Sequence, residues 1–151
     1  MRQQRITRHL DASEAGIAEA AALLREGRLV ALPTETVYGL GADATSGAAV
    51  AGIYAAKERP SFNPLIAHLP DLAAAQRQGL FDANALALAR AFWPGPLTLV
   101  VPVSGGCTVC DLARAGLDTV ALRVPSHRVA QAVLAQAGLP IAAPSANRSG
   151  R

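Results

Sequence analysis

Short apolar runs alternate with helical patterns along almost the whole chain, and this alternation limits the possible folds more than any other feature. Short apolar runs bounded by Gly, Pro or polar residues are typical of buried strands, which predicts strands at 29–32, 65–69, 97–101, 119–124 and 141–143. Helices are predicted from Ser13 to Gly27, from Ser46 to Lys57, over 72–78 and 83–92, and from Ser126 to Gly138. Strands that alternate with helices indicate a layered α/β fold.

The predicted helix ends carry local signals. An N-cap residue stabilises a helix by accepting a hydrogen bond from its first turn, and the candidates are Ser13, Ser46, Asp71, Asp82 and Ser126. Glycines at 27 and 138 suit the left-handed position that follows a last turn. The Trp-Pro-Gly-Pro segment at 93–96 predicts a rigid turn. The segment 34–41, dense in hydroxyls and glycine, predicts a functional loop.

The segment from Lys57 to His68 combines two cations, a hydroxyl, an amide and an imidazole. Its two prolines fix φ and push the preceding residues toward extended backbone, which predicts a shaped loop leading into a strand. Lys57 is the only lysine in the chain. A compact ammonium can approach a reacting centre where a planar guanidinium cannot, although a solvated charge at a helix end is an equal alternative.

The composition restricts the class of protein. A length of 151 residues with 51% hydrophobic residues predicts one globular domain. The 14 basic and 11 acidic residues give a net charge of +3, which permits an anionic ligand or RNA but requires neither. No apolar run approaches ~18 residues, so no membrane span is expected. The basic N-terminus lacks the apolar core of a secretory signal, and the absence of a disulfide framework suits a reducing cytoplasm.

Two short motifs have competing interpretations. Cys107 and Cys110 form a C-x-x-C spacing in a predicted loop, which permits a metal or redox pair but without a second pair is more typical of ordinary loop thiols. Gly39 and Gly41 fit a loose G-x-G-x-x-A pattern. The dinucleotide fingerprint needs a strand directly before the first glycine, and the predicted strand ends well before it, so this pattern disfavours a Rossmann site.

Residues able to bind anions collect at the predicted strand ends and in the loops that follow. Each has a simpler explanation: Ser145 and Asn147 suit a turn, Arg123 suits an edge strand, and His68 suits a core. The anion-binding set is Lys57, Arg59, Ser61, Asn63, Arg123, Ser145 and Asn147. Such a set favours a phosphate-bearing substrate handled by electrostatics rather than by a catalytic triad.

Six motifs give the chain a resemblance to a known family. They are Pro33-Thr34-Glu35-Thr36-Val37-Tyr38-Gly39-Leu40-Gly41, Lys57-x-Arg59-Pro60, Asn63-Pro64-Leu65-Ile66-x-His68, Trp93-Pro94-Gly95-Pro96-Leu97-Thr98, Arg123-x-Pro125 and Ser145-Ala146-Asn147-Arg148-Ser149-Gly150. In this order, and over nearly the whole chain from Leu29 on, they resemble the YrdC-type threonylcarbamoyl-AMP synthases.

The resemblance implies an open, twisted mixed β-sheet flanked by helices, with a concave basic cavity. It also implies that L-threonine, bicarbonate and ATP, accompanied by Mg²⁺ for which no protein ligand is identified, give threonylcarbamoyl-AMP and pyrophosphate. The product serves the threonylcarbamoyladenosine modification of tRNA. The resemblance therefore implies the proteins of the threonylcarbamoyl-transfer complex as partners, and it permits binding of tRNA or double-stranded RNA.

The resemblance also assigns roles to individual residues. Thr36, His68, Arg123 and Ala143 match positions of the family that bind threonine. Arg59, Asn63, Thr119 and Ser145 match positions that bind ATP. Lys57, Arg59, Ser145 and Asn147 match catalytic positions. Arg123 would pair with the carboxylate of threonine. Lys57 and Arg59 would stabilise the charge that builds up on the phosphoryl oxygens.

Three alternatives remain open at this point. The family's domain continues past its Ser-x-Asn motif, so a single domain over 1–151 is expected to be either cut short or a short variant. An RNA-binding module without turnover is a second function, although the chain has few aromatics for base stacking. A carbamoyl-transfer accessory domain, as in hydrogenase-maturation relatives, is disfavoured by the short length.

Overall fold

The computed structural model describes residues 6–60 and 63–147. The helices and strands within these ranges are α1 Glu14–Arg25, β1 Val30–Pro33, β2 Tyr38–Asp43, α2 Gly47–Lys57, β3 Ile66–His68, α3 Leu72–Gln78, α4 Ala83–Phe92, β4 Leu99–Pro102, β5 Thr119–Arg123, α5 Arg128–Ala137 and β6 Ile141–Ala142. None of the helices in the described ranges has the length and apolar character needed to cross a bilayer.

The strands form one open, mixed sheet in the order β1-β2-β6-β3-β5-β4. Strands β3 and β5 run parallel, whereas the other neighbouring strands are antiparallel. The predicted open mixed sheet flanked by helices is therefore confirmed. The predicted strands overlap the observed ones, and their ends differ by one or two residues.

Apolar side chains pack against both faces of this sheet. On one face, Ile53 of α2 lies in a core that also contains Leu122 of β5. On the other face, Leu24 of α1 and Leu134 of α5 enclose Ile141 of β6. The side chains named here are fully buried, and removal of apolar side chains from water is the main source of stability for such a layered fold.

The second face is only partly covered. Helices α1 and α5 pack against β1 and against the β2–β6 side of the sheet. Beyond them, Ile66 of β3 and Ala121 of β5 stay partly exposed, and Val100 of the edge strand β4 is 65% exposed. This uncovered strip, formed by β3, β5 and β4, is called the open face below.

Four predicted helix starts are confirmed. The side chains of Ser13, Ser46, Asp71 and Asp82 each accept a hydrogen bond from a backbone N–H in the first turn of α1, α2, α3 and α4. Gly138 follows α5 with a φ of 66°, as predicted for the left-handed C-terminal position. These signals are local, which is why the bounds of α3 and α4 match their predictions.

The predicted cap of α5 was wrong. Its N-cap is His127, whose Nδ1 accepts a hydrogen bond from the N–H of Val129 at 3.1 Å. Ser126 does not cap the helix because its hydroxyl and its backbone N–H both donate to the carboxylate of Glu35, at 2.7 Å each. A contact across the fold has therefore moved the helix start by one residue.

The predicted loop over 34–41 was also wrong in its second half. Residues Tyr38–Asp43 form β2, which pairs with β1 so that only 34–37 remain as a tight hairpin tip. Because glycine is unfavourable in strands, the sequence pattern did not predict β2. At Gly41 a side chain would not fit, because a Cβ there would lie 2.8 Å from Leu32 Cδ2 and 3.1 Å from Ile141 Cγ2.

Candidate active site

Strand register places several of the predicted site residues on the open face. Side chains alternate along a strand, so Thr119 and Arg123 of β5 share a face. His68 of β3 lies beside Arg123 in the parallel pair. Ala143, just after β6, donates its backbone N–H to the carbonyl of Ile66 at 3.2 Å. The candidates come from different segments, and register brings them to one surface.

Arg123 is the buried centre of one half of the site. It is 7% exposed, and three of its N–H groups have partners within the chain. Nε donates to the carbonyl of Gly95 at 3.1 Å, Nη1 to Thr36 Oγ1 at 3.2 Å, and Nη2 to Glu35 Oε1 at 2.6 Å. A guanidinium carries five N–H groups, and the hydrogen bonds among the described residues use three of them, leaving two without a partner in that part of the chain.

The turn that holds Arg123 explains the Trp-Pro-Gly-Pro motif. The indole N–H of Trp93 donates to the carbonyl of Leu97 at 2.7 Å, and the N–H of Gly95 donates to the carbonyl of Val124 at 2.8 Å. A Cβ at Gly95 would lie 2.4 Å from the carbonyl oxygen of Phe92. The rigid turn thus aims its Gly95 carbonyl at the guanidinium.

Glu35 is the functional residue that the sequence analysis missed. Its carboxylate accepts hydrogen bonds from Arg123 and from both donors of Ser126. Burial raises the pKa of Glu35, but the hydrogen bonds from Ser126 and the charge of Arg123 outweigh it and lower the pKa overall. The sequence offered one indication of this role: Glu35 is an acidic residue inside a set of motifs that is otherwise rich in cations and hydroxyls.

His68 lies deep in the sheet and is uncharged at neutral pH. Its Nδ1 is 3.1 Å from the carbonyl oxygen of Ile66 and 3.3 Å from that of Ile141. Because both partners are acceptors, the proton is assigned to Nδ1, and Nε2 keeps its lone pair. Burial, and next the charge of Arg123, lower the pKa of His68 to about 4. His68 can therefore accept a hydrogen bond from a ligand but adds no positive charge.

This shift predicts a pH-dependent stability. The pKa of His68 is near 6.5 in the unfolded chain and about 4 in the folded protein. The contribution of the neutral imidazole to the free energy of unfolding is therefore complete above the unfolded pKa and is lost as the pH falls toward the folded pKa. We expect about 2 kcal/mol of unfolding free energy to be lost from pH 7 to pH 5 through this group, measured by urea denaturation. His68→Gln, which does not titrate, should show a correspondingly flatter profile. Equal losses in both proteins would contradict the prediction.

Lys57 is the centre of the other half of the site. It ends α2, is 4% exposed, and its Nζ donates to the backbone carbonyls of Ser145 at 2.6 Å and Asn147 at 2.5 Å. Burial, and next the charge of Arg59, lower the pKa of Lys57. An ammonium has three donors, and two of them are used by these carbonyls among the described residues. The first role of Lys57 in this structure is to fasten the segment after β6.

That segment is extended as far as Ser145, which bridges Gly39 of β2, and it bends at 146 and 147, so the predicted extended geometry holds only for its first part. The N–H of Leu40 donates to the carbonyl of Pro144 at 2.7 Å, and the N–H of Ala146 donates to the carbonyl of Tyr38 at 2.8 Å. The bend lets both carbonyls that accept from Lys57 approach its one ammonium, since carbonyls two residues apart in an extended strand are separated by roughly 6.6 Å. Ser145 and Asn147 themselves are exposed.

Arg59 lies just beyond the sharp end of α2. Glu58 adopts a left-handed conformation with φ of 54°, which stops the helix. Arg59 Nη2 donates to the carbonyl of Pro64 at 3.4 Å, and its Nε is buried with no hydrogen-bond partner among the described residues. An unpaired buried N–H is costly, so an anion bound at this position would be stabilised. The neighbouring Asn63 is exposed, and its carbonyl accepts from the Tyr54 hydroxyl at 2.8 Å.

The structure thus groups Thr36 and His68 with Arg123, and Ser145 and Asn147 with Lys57. Thr119 is half-buried at the start of β5 and makes no direct contact with either group in the described hydrogen bonds. Ser61, one of the predicted anion-binding residues, lies outside the described residues, as does Arg148 of the last motif.

The alternative motifs show no ligand site in the described ranges. Gly39 and Gly41 lie inside strand β2, away from any helix start, which agrees with the disfavoured Rossmann interpretation. Cys107 and Cys110 are free, half-buried thiols packed against the core that contains Leu122. No group of three or more His, Cys, Asp or Glu side chains within 6–60 and 63–147 is arranged to hold a metal.

An open mixed sheet whose uncovered face carries a buried arginine beside a neutral histidine, with a buried lysine at the end of α2, defines an α/β protein with a candidate anion-binding site. The Sua5/YciO/YrdC family model, described as "Telomere recombination", matches residues 22–151. The chain belongs to this family.

Similar proteins support the assignment. A threonylcarbamoyl-AMP synthase of Bacillus subtilis is 50% identical over 147 residues, which are 97% of this chain and 42% of that protein. One of Pyrococcus abyssi is 50% identical over 133 residues, which are 87% of this chain and 38% of that protein. The crystal structure of P. abyssi Sua5 complexed with L-threonine has a TM-score of 0.87 and 46% identity, and covers 95% of this chain and 42% of that one. The chain therefore spans about two fifths of the length of these relatives.

Proposed function

We propose that this chain forms threonylcarbamoyl-AMP and pyrophosphate from L-threonine, bicarbonate and ATP, which makes it a nucleotidyltransferase. The observation that supports this most directly is the buried Arg123, which has two N–H groups with no partner among the described residues and lies beside the hydroxyl of Thr36. A Sua5 that is 46% identical forms a complex with L-threonine, and two relatives at 50% identity are named for this reaction.

The amino-acid end of the proposed site consists of Thr36, His68 and Arg123. The two remaining N–H groups of Arg123 would hold the carboxylate of threonine. His68 Nε2, an acceptor in the neutral ring, would take a hydrogen bond from the amine or the hydroxyl of the substrate. The backbone around Ala143, which borders the same face, would close this end of the site.

The nucleotide end of the proposed site consists of Arg59, Asn63, Thr119 and Ser145, with Lys57 and Asn147 beside them. The buried Nε of Arg59, which has no partner in the described part of the chain, would donate to a phosphate oxygen. Lys57 has one donor left after fastening Ser145 and Asn147.

The proposed chemistry has two steps. The amine of threonine attacks the carbon of bicarbonate, and loss of water leaves a carbamate. A carbamate oxygen then attacks the α-phosphorus of ATP, the bond to the bridging oxygen breaks, and pyrophosphate leaves with its electron pair. The residues named here form no covalent bond; fixed cations stabilise the negative charge that develops on the phosphoryl oxygens.

Magnesium would enter as part of the ATP substrate. The described residues contain no carboxylate cluster able to hold a metal, so phosphate oxygens and water would supply its ligands, as is common for Mg²⁺ with nucleotides. Proteins that transfer the threonylcarbamoyl group to tRNA would consume the product. We also propose that the protein acts in the cytoplasm, where such a product would be used.

The test is incubation with L-threonine, bicarbonate and labelled ATP, followed by measurement of pyrophosphate release. We expect release to require both threonine and bicarbonate, with omission of either as the control. Release that is absent, or that does not depend on threonine, would contradict the proposal. Salt-sensitive binding of tRNA without any turnover would instead favour the RNA-binding alternative.

A further inference from the structure

Glu35 joins three segments that are far apart in the sequence. It lies in the hairpin tip between β1 and β2, and it binds Arg123 at the end of β5 and Ser126 just before α5. The three contacts are short, between 2.6 and 2.7 Å, and each involves the charged carboxylate. Hydrogen bonds to charged groups contribute more than neutral ones.

Apolar packing does not hold the hairpin tip in place. Val37, the large apolar residue of the tip, is 56% exposed, and Tyr38, the first residue of β2, is 62% exposed. Within the tip, Thr34 Oγ1 donates to the carbonyl of Val37 at 2.7 Å, which shapes the turn but does not attach it to the rest of the fold. The attachment to the site comes from Glu35 and from the contact of Thr36 with Arg123.

The same contacts determine what Arg123 offers to a ligand. With Gly95, Thr36 and Glu35 each accepting one N–H group, the guanidinium is fixed in orientation. Its positive charge is also balanced by the adjacent carboxylate. A cation without such a partner would repel the ammonium of an approaching amino acid, since like charges at short range raise the free energy of binding.

We propose that Glu35 is a positioning and specificity residue. It holds the hairpin tip and the hydroxyl of Thr36 against Arg123, and it balances the charge of Arg123 so that the site accepts a zwitterionic amino acid in preference to a simple carboxylate. This inference rests on the proposed function, because it concerns the amino-acid end of the same site.

The test compares Glu35→Gln with Glu35→Asp and with Glu26→Gln, a matched control at an exposed carboxyl that ends α1. Three quantities are measured: the KM for L-threonine, the KM for ATP, and the inhibition constant of β-hydroxybutyrate, which resembles threonine without its amine. In Glu35→Gln we expect the threonine KM to rise about tenfold or more, the size of one lost charged contact. The ATP KM should stay unchanged, and β-hydroxybutyrate should bind more tightly relative to threonine.

Glu35→Asp keeps the charge, so its preference for threonine over β-hydroxybutyrate should stay near that of the wild type. A merely structural role would weaken both ligands together and leave their ratio constant, and that result would overturn the proposal. So would an unchanged threonine KM in Glu35→Gln.

A measurement without substrates separates this inference from the proposed function. Hydrogen exchange at the amides of 34–37 should become faster in Glu35→Gln than in the wild type, while Glu26→Gln should show no change. If the wild type lacks threonine-dependent turnover, the proposed function is wrong. The exchange rates still show whether Glu35 attaches the hairpin tip to the fold. Unchanged exchange overturns the attachment.

Discussion

Replacement of Lys57 by methionine is expected to slow threonine-dependent pyrophosphate release about 100- to 1,000-fold, the usual cost of removing one preorganised donor from an active site. Methionine keeps most of the aliphatic stem, so the buried volume is retained while the ammonium is lost. The segment at Ser145 and Asn147 then loses the two hydrogen bonds that Lys57 donates to it. The rate is measured with saturating threonine, bicarbonate and ATP.

The control for this prediction is Arg90→Met, which removes an exposed cation from the last turn of α4. Its rate should equal that of the wild type. Lys57→Arg should also be slow, because a planar guanidinium does not reproduce a compact ammonium bound to two carbonyls. A near-normal rate for Lys57→Met would remove Lys57 from the proposed site.

Replacement of Arg123 by methionine is expected to have the second large effect, on stability as well as on binding. Loss of one partner leaves the carboxylate of Glu35 without its counter-charge, and breaking a buried ion pair in this way costs about 3 kcal/mol. We take the lower end of the usual range because the Glu35 side chain is 22% exposed. The free energy of unfolding is measured in urea, and the threonine KM should rise by more than tenfold.

A double variant tests whether the lost stability comes from the ion pair. If it does, Arg123→Met combined with Glu35→Gln should be more stable than the sum of the two single losses predicts, because the carboxylate that Arg123→Met leaves unpaired is absent. Strict additivity would mean that the two side chains act independently. That result would contradict the pairing that organises this half of the site.

Features controlled by neighbouring residues were predicted well. The caps at Asp71 and Asp82 identified the starts of α3 and α4 because an N-cap acts within its own first turn. The cap of α5 failed for the opposite reason: Ser126 looks like a cap locally, but Glu35 occupies both of its donors. Strand β2 was missed because its glycines are explained only by close approaches from other segments, Ala143 at Gly39 and Leu32 and Ile141 at Gly41.

The residue types of the site could be predicted, but the hydrogen bonds that connect them could not. Lys57, Arg59, His68 and Arg123 stand out by residue type and by motif. Lys57 donates two hydrogen bonds to backbone carbonyls 88 and 90 positions away, and no local sequence pattern indicates this. Backbone carbonyls carry no sequence signal, since every residue has one.

By itself the sequence determined the alternation of strands and helices, most helix starts, and a set of cations and hydroxyls suited to anions, because each depends on the chemistry of adjacent residues. Only the tertiary structure decided that Glu35 balances Arg123 across 88 positions, that His68 is neutral, and that the open face escapes cover by α1 and α5. These properties depend on burial and on distances between segments, which exist only once the sheet has assembled.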